Sequence, residues 1–153
     1  VYGFEAHYNR ITILIMPGPW SFEVIEIWRR FNNYKMYVDS ELPGEGDRYP
    51  ENVGGAYHAL RLPILEKLYK DRRQGSVLVI AEISEGWIPL GVWRFREICR
   101  RALQDTPKKF NTLREALEEI AKRTLTDIKY WRHLSRILKF HEFQEKITEY
   151  IQG

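Results

Sequence analysis

Two short apolar runs constrain this chain more than any other feature. Tyr8 to Met16 (YNRITILIM) and Ser76 to Ile83 (SVLVIAEI) are dense in Ile, Val and Leu. Each is far shorter than the roughly 20 residues a membrane helix needs. Both carry the branched side chains that suit a buried, pleated strand. Pro17-Gly18-Pro19 must end the first run, because prolines and a glycine cannot continue a ladder. Segments of helical pattern separate and follow the two runs. The expected architecture is therefore α/β: a small central sheet flanked by several helices, with a helical C-terminal segment and tail. Residues 1–140 are expected to form the α/β domain, and residues 141–153 a tail.

The remaining elements follow from local signals. Ser21 reads as an N-cap for a helix over Phe22 to Phe31, with Glu23 near its positive end. Val24, Ile27, Trp28 and Phe31 would make its core-facing stripe. Asn32 to Pro50 is turn-rich and is expected to be a surface loop carrying at most a short strand at Lys35 to Val38. Ala56 to Arg72 reads as a helix that Pro63 should kink or split. Leu90 to Gln104 is amphipathic, and Thr112 with Glu115 forms a capping-box pattern opening a helix to about Lys122. Asp127 to Phe140 is expected to be helical.

With 44% hydrophobic residues and a formal net charge of +3 over 153 residues, the chain can bury a core and is no disordered polymer. Cys99 is the sole cysteine, so no disulfide can form within the chain and no cysteine cluster can hold zinc. A reducing, intracellular location is expected. The start, Val1-Tyr2-Gly3-Phe4-Glu5, lacks the regions of a secretion signal and has no initiator Met. A piece of a longer protein is expected. Abundant Lys, Arg and Glu beside few Cys and Met give a thermophile-like composition.

The chemistry-bearing candidates fall into four groups. His7, His58, His133 and His141 are scattered, and no metal site or cofactor is expected. Asn52-Val53-Gly54-Gly55-Ala56-Tyr57 places paired glycines at a helix start, where amides can meet phosphate. Ser21, Asn52, Gly54, Gly55, Tyr57, Arg61 and Arg96 are the phosphate or nucleotide candidates, with Glu23 or Glu82 as a general base. The alternative is a set of caps and tight packing contacts. Four tryptophans (20, 28, 87 and 93) accompany arginines, as in stacking platforms for single strands. Most are expected in the core, with Trp87 the exception. From Lys122 to Lys139 six basic residues face one acid, Asp127. Lys129, Arg132, Arg136 and Lys139 are the DNA-backbone candidates there, and a solvated outer face is the plainer reading.

The C-terminus carries the sharpest signal. Gln144-Glu145-Lys146-Ile147-Thr148-Glu149-Tyr150-Ile151 has the form Q-x-x-I-x-x-Y-I, which resembles the box that docks on PCNA-type sliding clamps. Ile147, Tyr150 and Ile151 fall at i, i+3 and i+4 and would make one apolar plug, with Gln144 supplying a directional hydrogen bond. Ile151 stands where an aromatic is usual, so a weaker contact is expected. A stripe of Phe140, Phe143, Ile147 and Tyr150 packed on the domain itself is the competing reading.

Three further stretches, RITILIMPGPWSFEVIEIW (10–28), GGAYHALRLPIL (54–65) and VLVIAEISEGWIPLGVWRFR (77–96), together with the layout of Trp131 to Ile151, resemble the C-terminal portion of the archaeal Nre family of DNA-repair-associated proteins. The resemblance implies a clamp-associated role in repair, with a PCNA-type sliding clamp as partner through Gln144, Ile147, Tyr150 and Ile151, and DNA as a further partner. It implies a cytoplasmic, nucleoid-associated location and an upstream region, often cysteine-rich and zinc-finger-like, that this chain lacks. It carries over no established catalytic residues, and the short apolar runs leave no membrane partner expected. The competing function is a nucleotide- or nucleic-acid-processing enzyme with a site built from PGPWSFE, NVGGAY and PLGVW.

Overall fold

The computed structural model describes residues 1–46 and 48–152, with the backbone alone for 146 and 148–152. Five strands form one sheet: β1 (Tyr2–Ala6), β2 (Asn9–Met16), β3 (Ser21–Arg30), β4 (Asn33–Glu41) and β5 (Ser76–Ile83). Their order is β1-β2-β5-β3-β4. Every neighbouring pair is antiparallel except β3 and β5, which run parallel. β5 lies at the centre and all eight of its residues are buried. That explains its unbroken apolar run: a strand covered on both faces has no need of polar alternation.

Helices cover both faces. On one side α1 (Gly55–Asp71) and α2 (Trp93–Gln104) pack over Ile11, Ile13, Phe22, Val24, Val77 and Val79. On the other, α3 (Leu113–Arg123), Trp131 and the start of α5 (Arg136–Gln152) pack over Leu14, Ile25, Ile27, Leu78 and Ile80. A four-residue helix, α4 (Ile128–Trp131), and a 3-10 turn (Arg132–Leu134) connect α3 to α5. Truncating Ile25 or Leu78 to Ala would cost about 2–5 kcal/mol, because each is sealed inside the layers.

The architecture is the expected α/β one, but several elements differ from the sequence reading. The segment from Ser21 is a strand and not a helix. Phe22 and Val24 enter one core, Ile25 and Ile27 the other; this two-residue alternation only satisfies a strand with cover on both sides. Ser21 caps nothing: its hydroxyl donates to Ser76 Oγ at 2.5 Å across the β3–β5 register. The presumed loop after Asn32 holds a full edge strand, β4, in which Met36 and Val38 pack inward. Pro63 neither splits nor ends α1. It forfeits one backbone hydrogen bond, and burial of its ring offsets the loss. The capping box is present as expected, Thr112 Oγ1 accepting from the Glu115 amide at 3.2 Å.

Candidate functional site

The three segments PGPWSFE, NVGGAY and PLGVW do meet, and where they meet every charge already has a partner. Trp20 Nε1 donates to Glu41 Oε1 at 2.6 Å, and Arg61 grips the same carboxylate at 2.9 and 3.3 Å. The Arg61 guanidinium also lies 5.6 Å over the Trp20 ring, and Phe22 meets Tyr57 edge-on at 5.0 Å. Asp39 accepts from the Asn52 and Val53 amides at 2.8 and 2.5 Å. Val92 packs against Gly55, 3.5 Å from where a Cβ would stand. The place assigned to a phosphate is thus taken by two carboxylates of this chain, Glu41 and Asp39. The adjoining cleft is lined by four carboxylates, Asp39, Glu41, Glu45 and Glu51, against Arg48 and Arg136, an excess of negative charge that disfavours an anion.

Glu23 and Glu82 do not join that cluster. They project from β3 and β5 on the opposite face of the sheet, where α5 and the segment after α3 cover them. Four register positions separate them along the paired strands, roughly 13 Å. Glu23 accepts from the Ser135 hydroxyl and, at 2.7 Å, from the Arg136 amide, while Ser135 Oγ accepts from the Leu138 amide at 3.1 Å. Together they cap α5 from a neighbouring strand. Burial pushes the Glu23 carboxyl above its ordinary value, and the hydroxyl and amide donors pull it partly back. Glu82 accepts from the Leu125 and Thr126 amides at 2.9 and 2.7 Å. Both carboxylates anchor chain segments, and neither opens to a site where a general base could act.

Other candidates resolve in the same way. Arg96 lies on α2 with a buried Nε that has no partner among the described residues. Cys99 is buried with its thiol directed at the Leu60 carbonyl, 3.7 Å away, and burial pushes it up to about 12. It is a core thiol. Among the described residues no group of His, Cys, Asp and Glu could hold a metal ion, and no helix is long and apolar enough to cross a membrane.

The basic segment is not one helical face. The break at Ser135 separates Arg132 from Arg136 and Lys139. Arg132 pairs with Glu142 at 2.8 Å, Lys129 with Asp127 at 3.3 Å, and Arg136 with Glu45. Most of its charge is neutralised inside the domain.

The C-terminal box lies on α5, which leaves the body as it runs. Ile137 and Leu138 are buried, Phe140 and His141 partly so, and Phe143 is 63% and Ile147 43% exposed. A core stripe through Phe143 and Ile147 is therefore absent. The side chains of Tyr150 and Ile151 lie outside the described residues, and Gln144 is exposed.

One surface was not read from the sequence. At the carboxyl ends of β3 and β5, an open groove of about 880 Å³ is lined by Trp28, Arg30, Phe31, Tyr34, Lys35 and Trp87, among others. Phe31, 79% exposed, sits at the β3–β4 turn with φ of 50°, a backbone conformation that costs a bulky residue about 1–2 kcal/mol. The signal was present as the alternation W-R-R-F-N-N-Y-K (28–35), and it becomes a hairpin only once β3 is a strand.

The fold is a three-layer α/β domain with a helical C-terminal arm, its motif-rich polar groups turned inward. The family model described as Archaeal Nre, C-terminal, matches residues 42–150, and the chain belongs to that family. It is 36% identical to DNA repair protein NreA of Archaeoglobus fulgidus over 140 residues, covering 88% of this chain and 35% of the relative. NreA of Haloferax volcanii is 33% identical over 129 residues (78% and 31%), and NreB of A. fulgidus 31% over 146 residues (91% and 37%). The chain thus spans about a third of the length of the curated relatives it matches. No solved structure matches it.

Proposed function

We propose that this domain is the C-terminal part of a DNA-repair protein and that the free end of α5 docks it on a PCNA-type sliding clamp. The supporting observation is the outward course of α5: Phe143 and Ile147 are exposed on a helix whose first turn is locked into the core. Phe143 and Ile147 stand at i and i+4 on one helix face, the spacing a helix-in-groove contact reads, and Gln144-x-x-Ile147-x-x-Tyr150-Ile151 has the residue types for it. The relatives' designation as DNA repair proteins agrees with such a partner.

Calorimetric titration of the chain into its cognate clamp tests the reading, beside Tyr150→Ala/Ile151→Ala. Binding in the micromolar range, weakened at least tenfold by the double substitution with circular dichroism unchanged, is the expected result. No binding by the wild-type chain, or equal binding by both, overturns it.

A further inference from the structure

We propose that the groove at the carboxyl ends of β3 and β5 binds single-stranded DNA. Its aromatic side chains come from three separate places and converge. Trp28, near the end of β3, meets Trp87, from the loop after β5, edge-to-face with centroids 5.1 Å apart. Phe31 stands exposed at the β3–β4 turn, and Tyr37 of β4 shares the face of Trp28 and Lys35, whereas Tyr34 turns to the other face of the sheet, 5.4 Å from Tyr130 of α4. Basic side chains lie between the rings: Arg29, Arg30 and Lys35 line the groove, with Glu85 the one acid among its lining residues. Arg29 is held toward buried Glu82 at 3.8 Å. Arg30 and Lys35 are exposed, and neither enters an ion pair among the described residues.

That chemistry selects its ligand. An exposed ring, Phe31, next to the Trp28–Trp87 pair and to two cations outside any ion pair among the described residues, Arg30 and Lys35, matches a chain in which π faces alternate with phosphates. A duplex keeps its base faces inside the stack and offers only the phosphates. A wholly apolar peptide would leave Arg30 and Lys35 with nothing to meet. The location also fits, because open α/β sheets tend to bind ligands outside the carboxyl ends of their parallel strands. The choice of DNA over RNA rests on the DNA-repair reading above; the stacking and the charge do not depend on it.

Fluorescence anisotropy with a labelled oligo-dT single strand, without any clamp, is the test. The wild-type chain should bind it more tightly than a duplex of equal length or an oligo-rU strand. Phe31→Asn should weaken binding roughly tenfold, the scale of losing one stacked base. Asn tolerates a left-handed backbone better than Phe, so its melting temperature should not fall, and the loss cannot be unfolding. Arg30→Glu/Lys35→Glu should abolish binding, whereas Lys70→Glu/Lys109→Glu, which changes net charge equally at exposed positions outside the groove, should preserve most of it. The wild-type salt slope should reflect about −0.7 per neutralised phosphate. The proposal is overturned if the wild type does not bind, if duplex or RNA binds better, if Phe31→Asn binds normally, or if the two charge reversals act alike. With no clamp in the assay, its failure leaves the tail to its own titration, and a failed clamp titration leaves the groove to this one.

Discussion

The two ends of the sheet hold similar side chains and use them in opposite ways. At the Ser21 end, tryptophan, arginine and carboxylates close on one another: Trp20 and Arg61 on Glu41, Asn52 on Asp39, Ser21 on Ser76. At the Arg30 end the same residue types are satisfied only in part: Trp28 meets Trp87, Arg94 lies over Trp87 and Arg29 reaches Glu82, but Phe31 stands exposed and Arg30 and Lys35 enter no ion pair among the described residues. Motif density therefore marks where a chain satisfies itself, and the end that carries few recognisable motifs retains interaction capacity. A tryptophan beside an arginine has no fixed meaning until one knows whether a carboxylate stands between them.

The largest test of that contrast is Glu41→Ala. It orphans the Trp20 indole N–H and the Arg61 guanidinium together, and partly buried groups left so cost about 1–3 kcal/mol each. A loss of about 2–3 kcal/mol in denaturant unfolding is expected, with single-strand binding unaffected. A change below about 0.5 kcal/mol would show that water replaces the carboxylate and that the closed end is less closed than its geometry.

A smaller effect belongs to Glu23, which caps α5 from the closed end. Burial raises its carboxyl above the ordinary value, so the folded state holds the proton over a pH range where the unfolded chain has lost it. Its contribution is fully present below the unfolded value of about 4.5 and is lost as pH rises through the folded one. Glu23→Gln should remove that dependence, so the variant gains on the wild type as pH climbs from 4.5 toward neutrality. Parallel stability curves would mean that the amide and hydroxyl donors fully compensate burial.

The smallest effect is expected at the open end. Phe31→Asn relieves a left-handed aromatic residue that packs against little, and a stabilisation of about 0.5–1 kcal/mol should follow. Greater stability with weaker single-strand binding would separate the two ends cleanly. Lower stability would mean that the Phe31 ring contributes to the fold.

Legibility in the sequence followed the same division. β2, β5 and the Thr112 capping box could be read because each signal is local and has one structural solution. β3 could not: Val24, Ile27, Trp28 and Phe31 satisfy a helical stripe as well as they fill a strand. Only the apolar Phe22 before them and Ile25 among them show that two faces need cover. That single misreading hid the hairpin and with it the groove, since Trp28, Lys35 and Tyr37 come onto one face only through the β3–β4 register. Glu23 and Glu82 looked catalytic because nothing in a sequence distinguishes a carboxylate that accepts backbone amides from one that accepts a proton from substrate.

α5 runs without interruption from its capped first turn to Gln152, 17 residues and roughly 25 Å at 1.5 Å per residue. A slack linker would hold a partner nearby in any attitude. This helix is instead a spar with its root set in the sheet, so whatever grips its far end also fixes the bearing of the whole domain. The outward groove then points along one heading relative to that partner, and a glycine pair inserted near Phe143 would leave the grip intact while losing the aim.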